Sequence, residues 1–322
     1  MYKKILILFS IILLAGVIYI SDPAQIYAEI SGANPTFLFW VLLIPPVNFL
    51  FRLTRWKLLL DSSAKVKISK LAPVFLAGIA LSNLTPARVG EAAKALFLKK
   101  SERIRFSTSL GSIIWERLFD LIVLIVFAVP FFGLLLSRLS PNLVLFGQVS
   151  IIFVFILILL VVTGMYYEKL GYKMLKFAEK IPILDKFVTE DFVNNFYKNS
   201  KQRKSVLLLA FVLTIIIWIV DGIVFYFSFK SIGITEFNYW FFIGIMAFTL
   251  LCGVASFLPG GLGSTDAVFV GIMVLYGVSK GQAAAGMLIG RAWMLGFYYL
   301  FGLLSLLYLA KTHPKEDFSI SK

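Results

Sequence analysis

The stretch Ser256-Phe257-Leu258-Pro259-Gly260-Gly261-Leu262-Gly263-Ser264-Thr265-Asp266 interrupts a long apolar segment of the chain. One proline and three glycines end the helix that precedes them, and a helical pattern resumes with Asp266 in its first turn. Inside a bilayer, a broken helix is tolerated only where it is buried in protein or lines a wet cavity. The stretch therefore predicts either a kinked span packed through its glycines or a polar site, and Asp266 favours the site.

The composition of the whole chain is that of a membrane protein. Its 322 residues are 60% hydrophobic and 15% charged, with a mean hydropathy of +0.91. Because a soluble protein of this length cannot cover so much apolar surface, we predict an all-α polytopic membrane protein with a single transmembrane domain over residues 1–322. The net charge of +14 does not indicate nucleic-acid binding, since the basic residues lie between the apolar segments.

Side chains for metal or nucleophilic chemistry are scarce. The sequence has one cysteine, Cys252, in an apolar segment, and one histidine, His313, in the polar C-terminal tail. This disfavours a cysteine- or histidine-based metal site and a Ser-His-Asp triad in the membrane. We therefore expect no cofactor, no metal and no enzymatic activity, and a membrane-embedded lipid transferase is the least favoured alternative.

Lysine and arginine are distributed unevenly between the two ends of the predicted spans. Most of the 31 basic residues lie in the two terminal segments and in residues 52–70, 88–105 and 168–204. The positive-inside rule places these segments, with both termini, in the cytoplasm of a multi-pass cell-membrane protein. Residues 21–35, which contain no Lys or Arg, are then an outer loop, and residues 168–204 are an amphipathic cytosolic linker on the membrane surface.

This orientation predicts two re-entrant helical hairpins. Residues 71–84 are too short to cross about 30 Å at about 1.5 Å per residue, so they enter from the cytosol and residues 87–106 return there. Residues 239–257 and 264–276 must likewise enter and leave on the outer side. The two hairpins then point at each other from opposite faces of the membrane.

An internal repeat agrees with the hairpin prediction. Residues 86–91 lie over residues 259–264 at an offset of 173, and Arg117 lies over Arg291 at an offset of 174. Each half has a hairpin, a break, a half-helix and a long span with one arginine. We therefore predict two inverted repeats, each with a re-entrant hairpin. The repeats cover about residues 36–136 and 205–310.

Charged residues near the first break are candidate ligands for a substrate. Arg88 would present a guanidinium at the hairpin tip, where it suits a phosphate, although an ordinary charged turn is the alternative. Glu91 lies three residues before Lys94, so these two side chains are expected to pair.

The long span of each half carries further charges. Glu116, Arg117 and Asp120 lie within about one helical turn, and a charge near the bilayer centre costs at least about 2.5–3.5 kcal/mol. They must therefore be paired or solvated, either in a salt-bridge cluster or around a substrate. Arg291 has no acidic residue in its own span and needs Asp266, Asp221 or a ligand anion.

The glycines of the second break are also candidates. Gly260, Gly261 and Gly263 precede a half-helix, and free N–H groups at a helix N-terminus suit an anion. Asp266 is an alternative acceptor for those donors.

These motifs resemble a known family. Pro86-Ala87-Arg88-Val89-Gly90-Glu91 is similar to the family motif P-x-R-x-G-E, and Pro259 to Asp266 is similar to P-G-G-x-G-x-x-E, with aspartate in place of the usual glutamate. An arginine in the following span, here Arg291, completes the pattern. The family is the transmembrane region of the lysylphosphatidylglycerol synthases, the multiple peptide resistance factors. The soluble aminoacyl-transferase domain of those synthases does not occur in this sequence.

The resemblance implies a flippase-like domain that moves a phospholipid or lipid-linked glycan between leaflets. In this hypothesis Arg88, Arg117 and Arg291 stabilise an anionic head group, while Glu91, Glu116, Asp120 and Asp266 hold the arginines. The alternative is an ion-coupled transporter of a small anion, with Asp221 and Asp266 as proton carriers. Membrane lipids are the expected partners, and a homo-oligomer is compatible with the sequence.

Overall fold

The computed structural model describes residues 2–61, 63–85, 90–167, 169–173, 203–256 and 258–312. Within these ranges the chain forms helices and no β-strand, which confirms the predicted fold class. Five of the described helices are long and apolar enough to cross a membrane, or six if a bent N-terminal pair is one span. Arg88 and nearly all of the predicted linker at residues 168–204 lie outside the described residues.

Eleven helices are labelled here in chain order over the described part of the chain. They are α1 (Tyr2–Ile20), α2 (Pro23–Ser31), α3 (Pro35–Asp61), α4 (Ile68–Asn83), α5 (Ala93–Glu102), α6 (Phe106–Leu135), α7 (Pro141–Tyr166), α8 (Lys204–Ser231), α9 (Tyr239–Ala255), α10 (Ser264–Leu275) and α11 (Lys280–Thr312). The five candidate spans are α3, α6, α7, α8 and α11.

The predicted loop at residues 21–35 is wrong, because helix α2 occupies most of it. Asp22 caps this helix by accepting hydrogen bonds from the backbone N–H groups of Ala24 and Gln25, and Pro23 begins it. The chain bends by 82° between α1 and α2. A capping aspartate followed by proline is a helix-start signal. The loop prediction considered only the charge of this segment and did not use that signal.

Helix α3 extends into residues 52–70, which the sequence analysis placed in the cytoplasm. It runs without a break through Pro45 and Pro46 and ends at Asp61. Packing against neighbouring helices lets a membrane helix tolerate proline. This part of α3 carries Arg52 and Arg55 into the protein interior, and the prediction that they are cytosolic is therefore wrong.

Two helical hairpins, α4–α5 and α9–α10, meet at their tips. Helices α4 and α9 have 16 and 17 residues, so each is about 24–26 Å long and shorter than a hydrocarbon core of about 30 Å. A Cβ atom added to Gly260 would lie 2.9 Å from the backbone carbonyl oxygen of Asn83, so the tips touch. Entry of the hairpins from opposite membrane faces stays a prediction.

The two halves of the chain use the same order of elements. Helices α3, α4, α5 and α6 have 27, 16, 10 and 30 residues, and α8, α9, α10 and α11 have 28, 17, 12 and 33. Helix α3 packs on α8, while α4 packs on α11 and α9 packs on α6. Each hairpin is thus held by the long span of the other half. The inverted relation of the halves to a membrane stays a prediction.

Close helix packing predicts a sharp difference between two glycines of α11. A Cβ atom at Gly302 would meet the Cβ atom of Ala80 and lie 2.9 Å from the carbonyl oxygen of Leu76, whereas one at Gly296 would meet nothing within 4 Å. Gly302→Ala should therefore destabilise the protein by about 1–3 kcal/mol through overpacking. Gly296→Ala should be neutral or stabilising. Thermal unfolding in detergent compares the two variants, and equal stability would contradict the tight α4–α11 contact.

Candidate functional site: a charged cavity between the hairpin tips

A cavity of about 120 Å³, called the polar cavity here, lies where the hairpin tips meet α3, α6, α8 and α11. Side chains from all of these elements line it. Its charged lining residues are Arg52, Glu91, Arg117, Asp221, Asp266 and Arg291. Four of these six residues were predicted as substrate ligands from the sequence; Arg52 and Asp221 were not.

Arg117, the arginine in the long span of the first half, is held by the first hairpin. The Nε atom of Arg117 lies 2.6 Å from Oε2 of Glu91, and its Nη2 lies 3.0 Å from Oε1 of the same carboxylate. Arg117 also pairs with Asp120 one turn along α6, at 3.0 Å. The Arg117 side chain is 29% exposed, whereas that of Glu91 is 4% exposed. The guanidinium therefore faces the cavity and the carboxylate stands behind it.

Arg291, the arginine in the long span of the second half, has the same arrangement. Arg291 pairs with Asp266 and donates to the backbone carbonyl oxygen of Gly260 at 2.8 Å. The Arg291 side chain is 16% exposed and that of Asp266 is 1% exposed. Of the two acids predicted as partners of Arg291, Asp266 is confirmed, while Asp221 binds a different arginine.

The glycine-rich tip is shaped by backbone conformation. Gly260, Gly261 and Gly263 have φ angles of +58°, +64° and +81°, which favour glycine. The N–H of Gly263 donates to Asp266 at 2.8 Å, and that of Gly261 donates to the carbonyl oxygen of Leu258 at 3.0 Å. These two N–H groups are therefore engaged within the protein, so their predicted role as donors to an anion is not supported. Asp266 caps α10 instead, as the alternative prediction held.

A third arginine reaches the cavity from α3. Arg52 pairs with Asp221 of α8, and Asp221 also accepts a hydrogen bond from the side-chain amide of Asn48. The guanidinium of Arg52 lies 5.5 Å from the ring centroid of Trp218. All of these polar side chains are buried, so they join the two central helices, α3 and α8.

Behind the cavity lies a fully buried charge cluster. Arg55 donates to Asp120 at 2.7 Å and to Glu116 at 3.2 Å. Lys94 binds Glu116 at 2.7 Å and Glu91 at 3.0 Å, which confirms the predicted Glu91–Lys94 pair. Glu116 has no exposed surface and lines neither cavity, so its place in the structure matches the salt-bridge alternative rather than a substrate ligand.

A larger apolar cavity of about 450 Å³ adjoins the polar one, and we call it the apolar cavity. Helices α6 and α7 and the second hairpin line it, mostly with leucine, isoleucine and valine. Asp120 and Gly261, two predicted site residues, also line it. Five residues line both cavities. They are Arg117, Trp218, Leu250, Gly260 and Thr265.

Arg52 and Arg55 were missed because basic residues beyond an apolar run suggest a loop. Two signals pointed the other way. Leu53, Trp56 and Leu60 continue the apolar helical spacing through this region. The predicted spans also held more acids than arginines, with Asp221 lacking any local partner, so further cations had to come from another segment.

Comparison with known proteins agrees with the membrane architecture. The family described as the lysylphosphatidylglycerol synthase TM region matches residues 7–302. The chain is similar to a UPF0104 membrane protein of Methanothermobacter thermautotrophicus, with 26% identity covering 90% of this chain and 91% of the relative. A UPF0104 membrane protein of Pyrococcus horikoshii is 25% identical, and the match covers 90% of this chain and 92% of the relative. A UPF0104 membrane protein of Methanocaldococcus jannaschii is 26% identical, and the match covers 73% of this chain and 97% of the relative.

The buried cluster predicts unequal costs for two cations of α3. Arg55→Gln leaves Asp120 and Glu116 short of a buried counter-charge, and breaking such a pair costs about 3–5 kcal/mol. Lys57 and Asp61 form a pair whose side chains are 31% and 34% exposed, so Lys57→Gln should cost less than about 1 kcal/mol. Thermal unfolding of the two purified variants in detergent measures the difference. Equal losses would show that Arg55 does not hold the cluster together.

Proposed function

We propose that this chain, which belongs to the family of the lysylphosphatidylglycerol synthase TM region, moves a phospholipid or lipid-linked glycan between membrane leaflets. The observation that supports this most is the junction of the polar and apolar cavities. A lipid has a charged head group and an apolar tail, and the two adjoining spaces match these two parts. A small soluble anion would need only the polar cavity.

The polar cavity offers cations to a head group. At the Arg117–Glu91 and Arg291–Asp266 pairs the arginine is the more exposed partner, while the carboxylate holds it from behind. A guanidinium binds a phosphate through two parallel hydrogen bonds and stays charged at any physiological pH. Arg117 and Arg291 come from the long spans of the two halves, so a phosphate could pass from one to the other.

The apolar cavity provides room for part of a hydrocarbon chain. Phe153, Leu157 and Ile158 line it from α7, a helix with no charged residue whose other side is largely exposed. In a membrane that exposed side faces lipid tails. Phe153 lines the cavity and is also 40% exposed, so the cavity lies close to the outer surface at α7. A lipid tail entering beside α7 would place its head group near Arg117.

The energy source and orientation form part of the proposal. The sequence contains no P-loop, so translocation would be passive or ion-coupled. The positive-inside rule still favours cytoplasmic termini, because removing Arg52 and Arg55 from the cytosolic count leaves most basic residues on the same side. We further propose that the protein acts as a transporter and not as an enzyme.

An ion-coupled transporter of a small anion is the second candidate. The observation in its favour is that Asp221 and Asp266, two carboxylates buried in the membrane domain, line the polar cavity. Uptake of a labelled soluble anion into vesicles, driven by a pH gradient, would support this function. The lipid proposal expects no such uptake.

Removing Arg117 or Arg291 should slow lipid translocation. Fluorescent phospholipids are placed in both leaflets of reconstituted vesicles, and loss of signal beyond the outer-leaflet half reports translocation. Arg117→Gln and Arg291→Gln should each lower the rate at least tenfold, because a phosphate in transit loses a charged ligand. Arg138→Gln is the control, since Arg138 is exposed and lines neither cavity.

The neutral double variants Arg117→Gln with Glu91→Gln, and Arg291→Gln with Asp266→Asn, separate transport from folding. Every remaining buried carboxylate keeps at least one cation, because Asp120 loses Arg117 but still binds Arg55. A remaining loss of transport in a folded protein therefore reflects the missing guanidinium. Translocation at the wild-type rate in both would contradict the proposed path.

Filling the apolar cavity should also reduce transport. Leu157→Trp places a bulky ring in the cavity, whereas Leu159→Trp changes a residue of the same helix that is 50% exposed and lines neither cavity. We expect slower lipid movement only for Leu157→Trp in the same vesicle assay. Equal rates would favour the soluble-anion function, which has no use for this space.

A further inference from the structure

We infer that Arg52 is a third ligand for a phosphate group bound in the polar cavity, and that Trp218 and Asp221 hold its guanidinium in place. This inference rests on the proposed function and adds a residue from α3 to the arginines of α6 and α11. The ligand chemistry is a phosphate ester or phosphate ion. A lipid head group and free phosphate are its two sources, and the experiment below distinguishes them.

The position of Arg52 places it among the cavity ligands. It lines the same polar cavity as Arg117 and Arg291, although its side chain is only 9% exposed. Three guanidiniums from three helices thus surround one small space. Phosphate has enough acceptor oxygens to receive hydrogen bonds from all of them, and arginine is the side chain best suited to it.

The described protein groups do not satisfy all five N–H donors of Arg52. Its Nη2 atom binds Asp221, but its Nε atom is buried and has no hydrogen-bond partner among the described residues. Leaving such a buried group unsatisfied is costly, because it has lost its hydrogen bonds to water. An anion in the cavity would reach Arg52 through the 9% of its side chain that is exposed there.

The neighbours of Arg52 fix its guanidinium from two sides. Trp218 lies 5.5 Å from it in a cation–π contact, and the indole N–H of Trp218 donates to Asp120 at 3.1 Å. Asn48 donates to Asp221 and so orients the carboxylate that binds Arg52. A preorganised cation of this kind pays little ordering entropy when it binds a ligand.

The two halves differ at this position. Asn48 and Asp221 are 173 residues apart, which is the offset of the sequence repeat. At the same offset Arg52 corresponds to Phe225, and both of these residues line the polar cavity. A purely architectural ion pair between α3 and α8 would not require Arg52 to reach the cavity. At these two matched positions the cavity therefore has a cation on the α3 side and an aromatic ring on the α8 side.

The experiment measures ligand-induced stabilisation of the detergent-solubilised full chain. The probes are dihexanoyl phosphatidic acid, inorganic phosphate, and dihexanoylglycerol as the phosphate-free control. The test variant is Arg52→Gln with Asp221→Asn, which removes both charges of the pair together and so leaves no buried charge unpaired. Lys57→Gln, which changes a half-buried cation of the same helix that lines neither cavity, is the matched control.

We expect phosphatidic acid, and not dihexanoylglycerol, to raise the unfolding temperature of the wild type. The double variant should bind phosphatidic acid at least tenfold more weakly, whereas Lys57→Gln should match the wild type. Asp221→Asn alone keeps the guanidinium of Arg52 and should therefore retain more of the affinity than the double variant. Equal losses in the two variants would show that Arg52 acts only through its pair with Asp221.

Wild-type affinity in the folded double variant would overturn the inference, as would the absence of stabilisation of the wild type by either phosphate compound. Stabilisation by inorganic phosphate but not by phosphatidic acid would keep Arg52 as a ligand and assign it to a soluble anion. If phosphatidic acid binding depends on Arg52 but the wild type moves no lipid in vesicles, the flippase proposal fails while the Arg52 site stands.

Discussion

A charge in the membrane interior must have a partner, and this requirement determines how the helices of the protein pack. Among the described residues, five buried or half-buried cations face five carboxylates in the interior, and every one of them is paired. The cations are Arg52, Arg55, Lys94, Arg117 and Arg291; the carboxylates are Glu91, Glu116, Asp120, Asp221 and Asp266. These pairs join α3 to α6 and α8, and each hairpin to the long span of its own half. Breaking a buried pair by removing one partner costs about 3–5 kcal/mol, so the network favours helix arrangements that keep these partners together.

Much of this architecture could be predicted from the sequence because hydropathy and length act locally. The spans at α6, α7, α8 and α11, and the short helices at the hairpins, follow from apolar runs that are long enough or too short to cross the membrane. The partnership of Asp266 with Arg291 was among the predicted alternatives. The interior position of Arg52 and Arg55 was not predicted, because their carboxylate partners lie far along the chain. Arg55 binds an aspartate 65 residues away, and Arg52 binds one 169 residues away. The positive-inside rule counts basic residues segment by segment, so it cannot detect ion pairs between distant segments.

The same network explains how a membrane domain can hold a polar cavity at all. Carboxylates that are almost fully buried keep the guanidiniums of Arg117 and Arg291 partly exposed and correctly placed before any ligand arrives. The apolar cavity shares a wall with this charged space, so a ligand with a charged head and a hydrocarbon tail would contact both at once. In the proposed function, the buried carboxylates hold the arginines in place and the exposed edges of these ion pairs contact the ligand.

The contact between the hairpin tips has a consequence for how the sequence can change over evolutionary time. Gly260 faces the backbone carbonyl of Asn83, and no substitution at position 83 removes a backbone oxygen. The glycine is therefore required by the other half of the protein as well as by its own left-handed backbone conformation. If the two halves arose by duplication of a common ancestor, they ceased to be free to diverge independently once their tips met.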